Sequence, residues 1–446
     1  MSVLRTRMGH GSRRAPFAHW RGEATRNRKS LFVHLLLALI CGRSLAQENG
    51  KPLSPSEAYK SALAPLQASR TQPDDLTDAD RFALQIGIAR ASRDCRALSS
   101  NASSLDADEK ELIALGDLCL FGQEYGPARA ALTKYLALPQ PPERKRAMVL
   151  LVQALLGLND PGSAELVVRS LLKDFPYDAE IHFAIDQVIE ASEGLSDGLN
   201  KMAFNLCATQ NAVTLPLLTS GKALEGKEAN ASASVLFSDA VRCVGLAKGQ
   251  DEPSAEEVMH QLAAIAQMQS WQGTADDSPM QASLQRQQMV GTQVPLSGLH
   301  GFTLTNGQIA PRPIALKRGT VILLPFVLWS PNASEEASRL ARLAPQQTIY
   351  AITSWSANTG RDDVPSNEIS TALREWQRNL PANVHMVIVP NAELSVFHVD
   401  SFPAGIVIRE GTVLWNGVLS SQGAERMLLS TLSGRAFARQ GSDHRK

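Results

Sequence analysis

The C-terminal third of the sequence restricts the fold most, because short apolar runs alternate there with amphipathic segments. Val321–Leu328 and Thr348–Thr353 are continuous apolar runs, which are typical of buried central strands. Between them, the apolar residues of Ala333–Leu343 have helical spacing. Strands that alternate with helices form a mainly parallel sheet covered by those helices. The pattern therefore predicts an α/β domain over residues 299–435 and a disordered tail over residues 436–446.

The remaining segments of this domain complete the pattern. Asn306–Gly307 follows a short apolar run and predicts the tight turn of a hairpin, because both residues tolerate positive φ angles. The other elements predicted from spacing are a helix at 369–378, a strand at 384–389, a hairpin of strands at 404–408 and 412–414, and a closing helix at 422–432.

A different pattern fills residues 51–268, which are rich in Ala and Leu with helical periodicity. Gly116 and Ala128 lie twelve residues apart, and so do Gly221 and Ala233. Small residues at a repeated spacing are typical of stacked helical units whose helices approach closely. The pattern predicts an all-α helical-repeat region at the N-terminal side of a multidomain chain.

These spacings resemble tetratricopeptide repeats, most clearly between residues 110 and 250. The resemblance implies a superhelix whose concave surface binds protein or peptide partners. Val152 stands where the family has Gly, and residues 181–215 fit the repeat poorly. An irregular helical bundle without a repeat register is therefore the alternative. Residues 269–298, rich in Gln, Ser, Gly and Asp, are expected to form a linker with a short helix at 282–289.

The N-terminus has the pattern of an export signal peptide over residues 1–46. A basic stretch precedes the apolar run Leu31–Ile40, and the small residues Ser44 and Ala46 suit cleavage before Gln47. The apolar run is too short to cross a bilayer, although an uncleaved anchor is the alternative. The sequence thus predicts an exported protein, periplasmic or extracellular, with no membrane span after cleavage.

Charge and cysteine content restrict the partners and the chemistry. Residues 1–46 carry nine basic residues and one Glu, so the rest of the chain is mildly acidic, which argues against nucleic acid as a partner. Cleavage would leave Cys95, Cys119, Cys207 and Cys243, which permit two disulfides in an oxidising compartment. All four fall in helical patterns, where Cys is also found as a small buried apolar residue. Their spacing does not suit a zinc site, and no motif predicts a metal, nucleotide or haem cofactor.

Two short motifs point to a particular domain family. Phe326 to Ala333 reads Phe-Val-Leu-Trp-Ser-Pro-Asn-Ala, and Ser401-Phe402-Pro403-Ala404 precedes a later strand. Together with the element order, these motifs resemble the thioredoxin fold, and in particular the TlpA-like and AhpC/TSA-type redoxins exported by bacteria. In that family the first motif holds two cysteines and the second a cis proline. The resemblance covers residues 300–435 and implies a cis proline at Pro403 and a peptide-binding edge at Phe402 and Pro403. The alternative is that Pro403 serves only folding, since it ends one loop and precedes a strand.

The family's two cysteines are missing from the first motif. Ser330 occupies the attacking position and Ala333 the resolving position, so Trp329, Ser330, Pro331, Asn332 and Ala333 form a vestigial redox motif. Thiol–disulfide exchange requires a thiolate, and no catalytic residue is therefore assigned. The sequence predicts an exported, non-catalytic protein that binds or scaffolds protein or peptide partners. An oxidoreductase of the same family with atypical or residual activity, using a thiol of the helical region, is the alternative.

Ser330 itself has two interpretations. Followed by Pro331, it suits the N-cap of a helix, where its hydroxyl would accept a backbone hydrogen bond. A less favoured hypothesis makes it a hydrolytic nucleophile, which would need a base such as His385 or His398 and an orienting carboxylate such as Asp400.

Overall fold

The computed structural model of the chain describes two compact units, which divide between Pro141 and Pro142. The predicted signal peptide at 1–46 and the predicted tail at 436–446 lie outside the described residues. The described residues are 53–69, 78–100, 109–224, 232–248, 254–294, 299–305, 308–314, 319–330, 333–359, 367–399, 402–419 and 422–433.

The first unit is helical throughout its described residues. A disulfide between Cys95 and Cys119 joins its second helix to its third. Gly116 faces Leu132 of the next helix, where an added Cβ would lie 2.6 Å from the leucine side chain. The helices of the predicted Gly116–Ala128 unit therefore approach closely because Gly116 has no side chain. The described helices are α1 (Pro55–Ser69), α2 (Asp78–Ser99), α3 (Glu109–Phe121) and α4 (Tyr125–Leu136).

The second unit begins with a further helical part, residues 142–289. Its helices are α5 (Arg144–Gly157), α6 (Pro161–Asp174), α7 (Ala179–Ser192), α8 (Asp197–Thr219), α9 (Ala233–Lys248), α10 (Ser254–Ala266) and α11 (Asp277–Met289). Asp160 and Ser196 cap α6 and α8, because their side chains accept hydrogen bonds from backbone N–H groups of the first turn. A second disulfide, Cys207–Cys243, joins α8 to α9.

The twelve-residue spacing predicts that Gly221 lies in the first helix of a repeat, but the structure places it elsewhere. It follows the end of α8 with a φ of 71°, and the N–H of Lys222 donates to the C=O of Leu217. A Gly in the left-handed conformation at this position is a common helix ending. The spacing between Gly221 and Ala233 therefore reflects a helix end and gives no repeat register.

The rest of the second unit is an α/β domain. Its strands are β1 (Leu299–Thr305), β2 (Gln308–Ile314), β3 (Thr320–Pro325), β4 (Thr348–Thr353), β5 (Val384–Ile388), β6 (Ala404–Arg409) and β7 (Thr412–Val418). Its helices are α12 (Ala333–Leu343), α13 (Trp355–Thr359), α14 (Asn367–Arg378), α15 (Asn391–Ser395) and α16 (Gln422–Leu432). The strands form one sheet in the order β2-β1-β5-β4-β3-β6-β7, in which β3, β4 and β5 are parallel and every other neighbouring pair is antiparallel. This arrangement fits a thioredoxin-like domain.

Most elements of this domain have the predicted bounds, and the differences are local. The strands β1 and β2 pair Thr305 with Gln308, which is the register of a two-residue turn, although Asn306–Gly307 itself lies outside the described residues. The strand β3 ends at Pro325 instead of Leu328, because the chain turns between Leu328 and Ser330. The short helices α13 and α15 were not predicted, since neither is long enough to show a period.

Two apolar cores lie on the two faces of the sheet. Successive residues of a strand point to opposite faces, so Leu324 of β3 belongs to the core that contains Leu340 and Leu373 of the helices. Leu323 belongs to the opposite core, together with Phe397. Among the described helices, none has the combination of length and apolar character that a membrane span requires.

The helical part and the α/β domain of the second unit share an extensive contact. Within the region expected to be a linker, α11 buries Met280 in the helical core, and the chain after it runs along β7. There the N–H of Gly291 donates to Val413 O and that of Val294 to Gly411 O, both at 2.8 Å. The unpaired edge of β7 is thereby covered, which removes a site for unwanted strand pairing.

A second contact lies at α16. Arg426 donates to the backbone carbonyls of Glu190 and Glu193 at the C-terminal end of α7. Gly423 packs against the same turn, where an added Cβ would lie 2.7 Å from Glu190 O. Cationic donors at a helix C-terminus satisfy carbonyls that lack partners within the helix, so α16 fixes the α/β domain to the helical part.

Candidate functional site

The vestigial motif lies at the carboxyl end of β3, between the strand and α12. Phe326 and Val327 are buried, and the chain then turns so that the N–H of Ser330 donates to Val327 O at 3.1 Å. Ala333, which begins α12, is buried and donates to Ser330 O. In open α/β sheets, ligands bind at the carboxyl ends of the strands, and the motif occupies such a position.

Trp329 is the most exposed large side chain of this region, with 66% of its surface accessible. Its indole Nε1 donates to the C=O of Ala357, at 3.1 Å, in α13. Its ring meets that of Phe402 edge to face, with centroids 6.2 Å apart and planes at 84°. The hydrogen bond of its nitrogen and the contact of its ring therefore fix the orientation of the indole, while most of its surface faces solvent.

Phe402 and Pro403 come from a loop far along the chain, and the peptide bond between them is cis. Both residues are half-buried, and Pro403 O accepts a hydrogen bond from Leu419 N at 3.0 Å. The structure thus brings together Trp329 of the first motif and Phe402 of the second. Pro331, Asn332 and Ser401 of these motifs lie outside the described residues.

Asn358 supports the turn that carries Trp329, and sequence reasoning missed it. Its Oδ1 accepts from the N–H of Leu328 at 2.7 Å. Its Nδ2 donates to Thr353 Oγ1 and to Ser354 O. The side chain thereby joins the end of β4 to the turn after β3. The available signal was a group of small polar residues directly after a buried strand, which is a common position for site residues in α/β sheets.

The loop that leads to Phe402 is held from the helical part. Arg286 of α11 is buried and donates from Nη1 to His398 O at 3.1 Å. His398 has a φ of 52°, and burial, with a smaller effect of Arg286, lowers the pKa of its imidazole. Arg286 could not be assigned from the sequence, because it lies in the segment that was expected to be a linker.

Among the described residues, no base is hydrogen-bonded to Ser330. No hydrogen bond joins Ser330 to His398, and the Ser330 hydroxyl makes none with any described residue. His385 lies on β5, where its ring is 5.8 Å from that of Tyr350. Asp400 lies outside the described residues.

All four described cysteines are buried and paired. Cys95–Cys119 and Cys207–Cys243 have Cα–Cα distances of 5.1 and 5.5 Å, which are ordinary for disulfides. No described residue of the α/β domain is a cysteine. The thiolate that exchange chemistry needs is therefore absent from the described site, and the two disulfides indicate an oxidising environment.

A separate polar cluster is buried in the helical part of the second unit. The carboxyl groups of Asp186 on α7 and Asp239 on α9 lie close to each other, and Gln210 donates to Asp186 at 3.1 Å. Burial raises the pKa of Asp239 to about 6, against the opposing effect of Arg242. Burial and the nearby Asp239 raise the pKa of Asp186 well above its ordinary value. The pair therefore holds a proton at pH values where exposed carboxyls are ionised.

The chain matches no protein-family model and no curated protein sequence. About 30% of it is similar to the crystal structure of a thioredoxin-like protein from Aeropyrum pernix, of which 89% is covered, at 20% identity and with a TM-score of 0.24. At that TM-score the likeness carries no argument about function.

Proposed function

We propose that this chain is an exported binding protein whose thioredoxin-like domain holds an extended peptide segment of a partner against Trp329, Phe402 and Pro403, without thiol chemistry. The observation that carries the proposal is the exposed indole of Trp329, fixed by Ala357 and Phe402. Large aromatic side chains that are held in one orientation and left open to solvent are frequent binding hot spots, because little conformational entropy is lost when a partner covers them.

Two further observations support the proposal. Ser330 and Ala333 carry an alcohol and a methyl group where exchange would need sulfur. The four described cysteines are buried in disulfides that join helices, so none is available as a substitute thiol. Disulfides of this kind suit an exported protein, periplasmic or extracellular. The helical parts would then present or orient the binding domain.

Selection of peptides from a displayed library against the full chain, followed by calorimetry, tests the proposal. We expect selected peptides to bind with micromolar Kd. Trp329→Ala should weaken them at least tenfold, because a hot-spot aromatic contributes about 2 kcal/mol or more to binding. Ser330→Ala should leave the affinity within twofold, since no reaction at the hydroxyl is involved. Leu343→Ala, another exposed apolar side chain of the domain, is the matched control.

The oxidoreductase alternative predicts a different result. Reduction of insulin by dithiothreitol should proceed at the same rate with and without the chain. A rate that rises with the chain and is abolished by alkylation would contradict the proposal, and so would selected peptides that are indifferent to Trp329→Ala.

A further inference from the structure

An open groove of about 710 Å³ lies in the helical part, bounded by α8, α9 and α10. One wall is a stripe of α8 formed by Phe204, Ala208, Asn211, Ala212 and Leu215. These residues recur at the three- and four-residue spacing that places them on one face of a helix. Ala208 and Ala212 of the stripe are exposed, whereas Phe204 and Leu215 pack partly buried against the helical core.

The opposite side of the groove is also mostly apolar. Val244 and Ala247 of α9 and Ala255 and Val258 of α10 line it. Cys243 of the disulfide to Cys207 contributes to the same wall, so the covalent link between α8 and α9 fixes the width of the groove at its base. A groove of this volume, with apolar walls held in place, is within the usual range for ligand sites.

Asn211 gives the groove its one nearly buried polar group. Only 7% of this residue is exposed, and its amide makes no hydrogen bond with a described residue. A buried amide without a partner is unfavourable, and neither atom of this amide is wholly enclosed by protein. The amide therefore opens into the groove, where a ligand can supply both a donor and an acceptor.

We infer that the groove binds an extended apolar peptide segment of a partner, with one of its peptide groups paired to Asn211. The stripe from Phe204 to Leu215 is about 16 Å long at 1.5 Å per residue, which matches about five residues of extended chain at 3.3 Å each. A peptide group offers the acceptor and the donor that a carboxamide pairs with. A hydrocarbon ligand offers neither and would leave Asn211 unpaired. The site is separate from Trp329 and does not depend on the function proposed there.

A defined set of fluorescein-labelled pentapeptides, N-acetylated, C-amidated and built from Ala, Val, Leu and Phe, tests this inference with the full chain. We expect members of the set to bind with micromolar Kd in fluorescence anisotropy. Ala212→Trp should weaken binding at least tenfold, because the indole fills the groove from an exposed position. Leu166→Trp, at an exposed site on α6, is the control and should change nothing. If Ala212→Trp alters the circular dichroism or the unfolding midpoint, Ala208→Trp replaces it.

A second comparison isolates the amide. Replacing the peptide group that pairs with Asn211 by an ester should weaken binding about tenfold in the wild type and have no effect in Asn211→Leu. Peptides selected through the Trp329 site should not displace these pentapeptides in competition, which distinguishes the groove from the site in the thioredoxin-like domain. The inference is overturned if no pentapeptide binds, or if binding ignores both tryptophan variants. It is also overturned if the apolar dye anilinonaphthalene sulfonate binds in the groove and the peptides do not, because the occupant would then be an apolar small molecule. Loss of self-association of the chain in sedimentation on Ala212→Trp would overturn it too, because the occupant would then be a second copy of the chain.

Discussion

The helical parts and the thioredoxin-like domain use sulfur in opposite ways. The helical parts hold all four described cysteines, each buried and paired across two helices. The thioredoxin-like domain has Ser330 and Ala333 at the positions where the redoxins that it resembles have cysteine, yet it has a cis peptide bond before Pro403 and an exposed Trp329. The described cysteines therefore join helices, whereas the described residues of the site at the end of β3 include no thiol.

The difference has a simple chemical meaning. A buried disulfide between helices restricts the unfolded chain and takes no part in exchange unless it is opened. A helix N-terminus lowers the pKa of a thiol and so favours the thiolate. A hydroxyl group at the same position is far too weak an acid to ionise near neutral pH. Three experiments would break or sharpen this contrast.

The largest expected effect is a gain of chemistry in the thioredoxin-like domain. Ser330→Cys combined with Ala333→Cys should give a variant that catalyses insulin reduction by dithiothreitol faster than the wild-type chain does. The reason is that β3, the start of α12 and the Phe402–Pro403 loop are already assembled. Ser330→Cys alone should form mixed disulfides but turn over poorly, because no second thiol releases them. A folded but inactive double variant would show that the site lacks more than two thiols.

Loss of a disulfide should be the next largest effect, and it belongs to the helical parts. Cys207→Ala with Cys243→Ala opens a loop closed over 36 residues, and the free energy of unfolding should fall by about 3–4 kcal/mol. Removing Cys95–Cys119, which closes 24 residues, should cost nearly as much, because the cost grows only with the logarithm of loop length. Urea unfolding measures both, and a dithiol reductant should reproduce the loss. A free energy of unfolding that does not change with the reductant would show that these disulfides contribute little to stability.

The smallest expected effect is a pH dependence of the helical part. Because the pKa of Asp239 is raised to about 6 when folded, the native state binds a proton that the unfolded chain releases near pH 4. The stabilisation is therefore present below pH 4 and is lost as the pH rises through 6. We expect wild type to lose about 2 kcal/mol relative to Asp239→Asn between pH 4 and 7.

Urea unfolding across this pH range measures the difference. Asp174→Asn, at an exposed carboxyl on α6, is the matched control and should follow wild type at each pH. A constant difference between wild type and Asp239→Asn would mean that the Asp186–Asp239 pair does not hold the proton, because the attraction of Arg242 then outweighs the effect of burial.

Much of the fold followed from local patterns. The bounds of α12, β4 and α16 agree with the apolar spacing. Each element buries residues that recur at its own period, and this spacing of apolar residues is visible in a short stretch of sequence. The absence of sulfur from the vestigial motif is likewise a property of the sequence alone. The predicted repeat register failed at Gly221, because a small residue that ends a helix and one that permits helix packing look the same in sequence.

Only the tertiary structure decided how distant segments meet. The pairing of the cysteines, the contact between Trp329 and Phe402, and the contact of Arg286 with His398 each join residues that no local period relates. The segment 269–298 is polar in composition, yet it contains a helix that packs on α9 and a stretch that covers the edge of β7. Sequence determines which groups each element can offer, whereas the packing of elements determines which groups become neighbours, because burial and hydrogen bonding are satisfied over the whole fold.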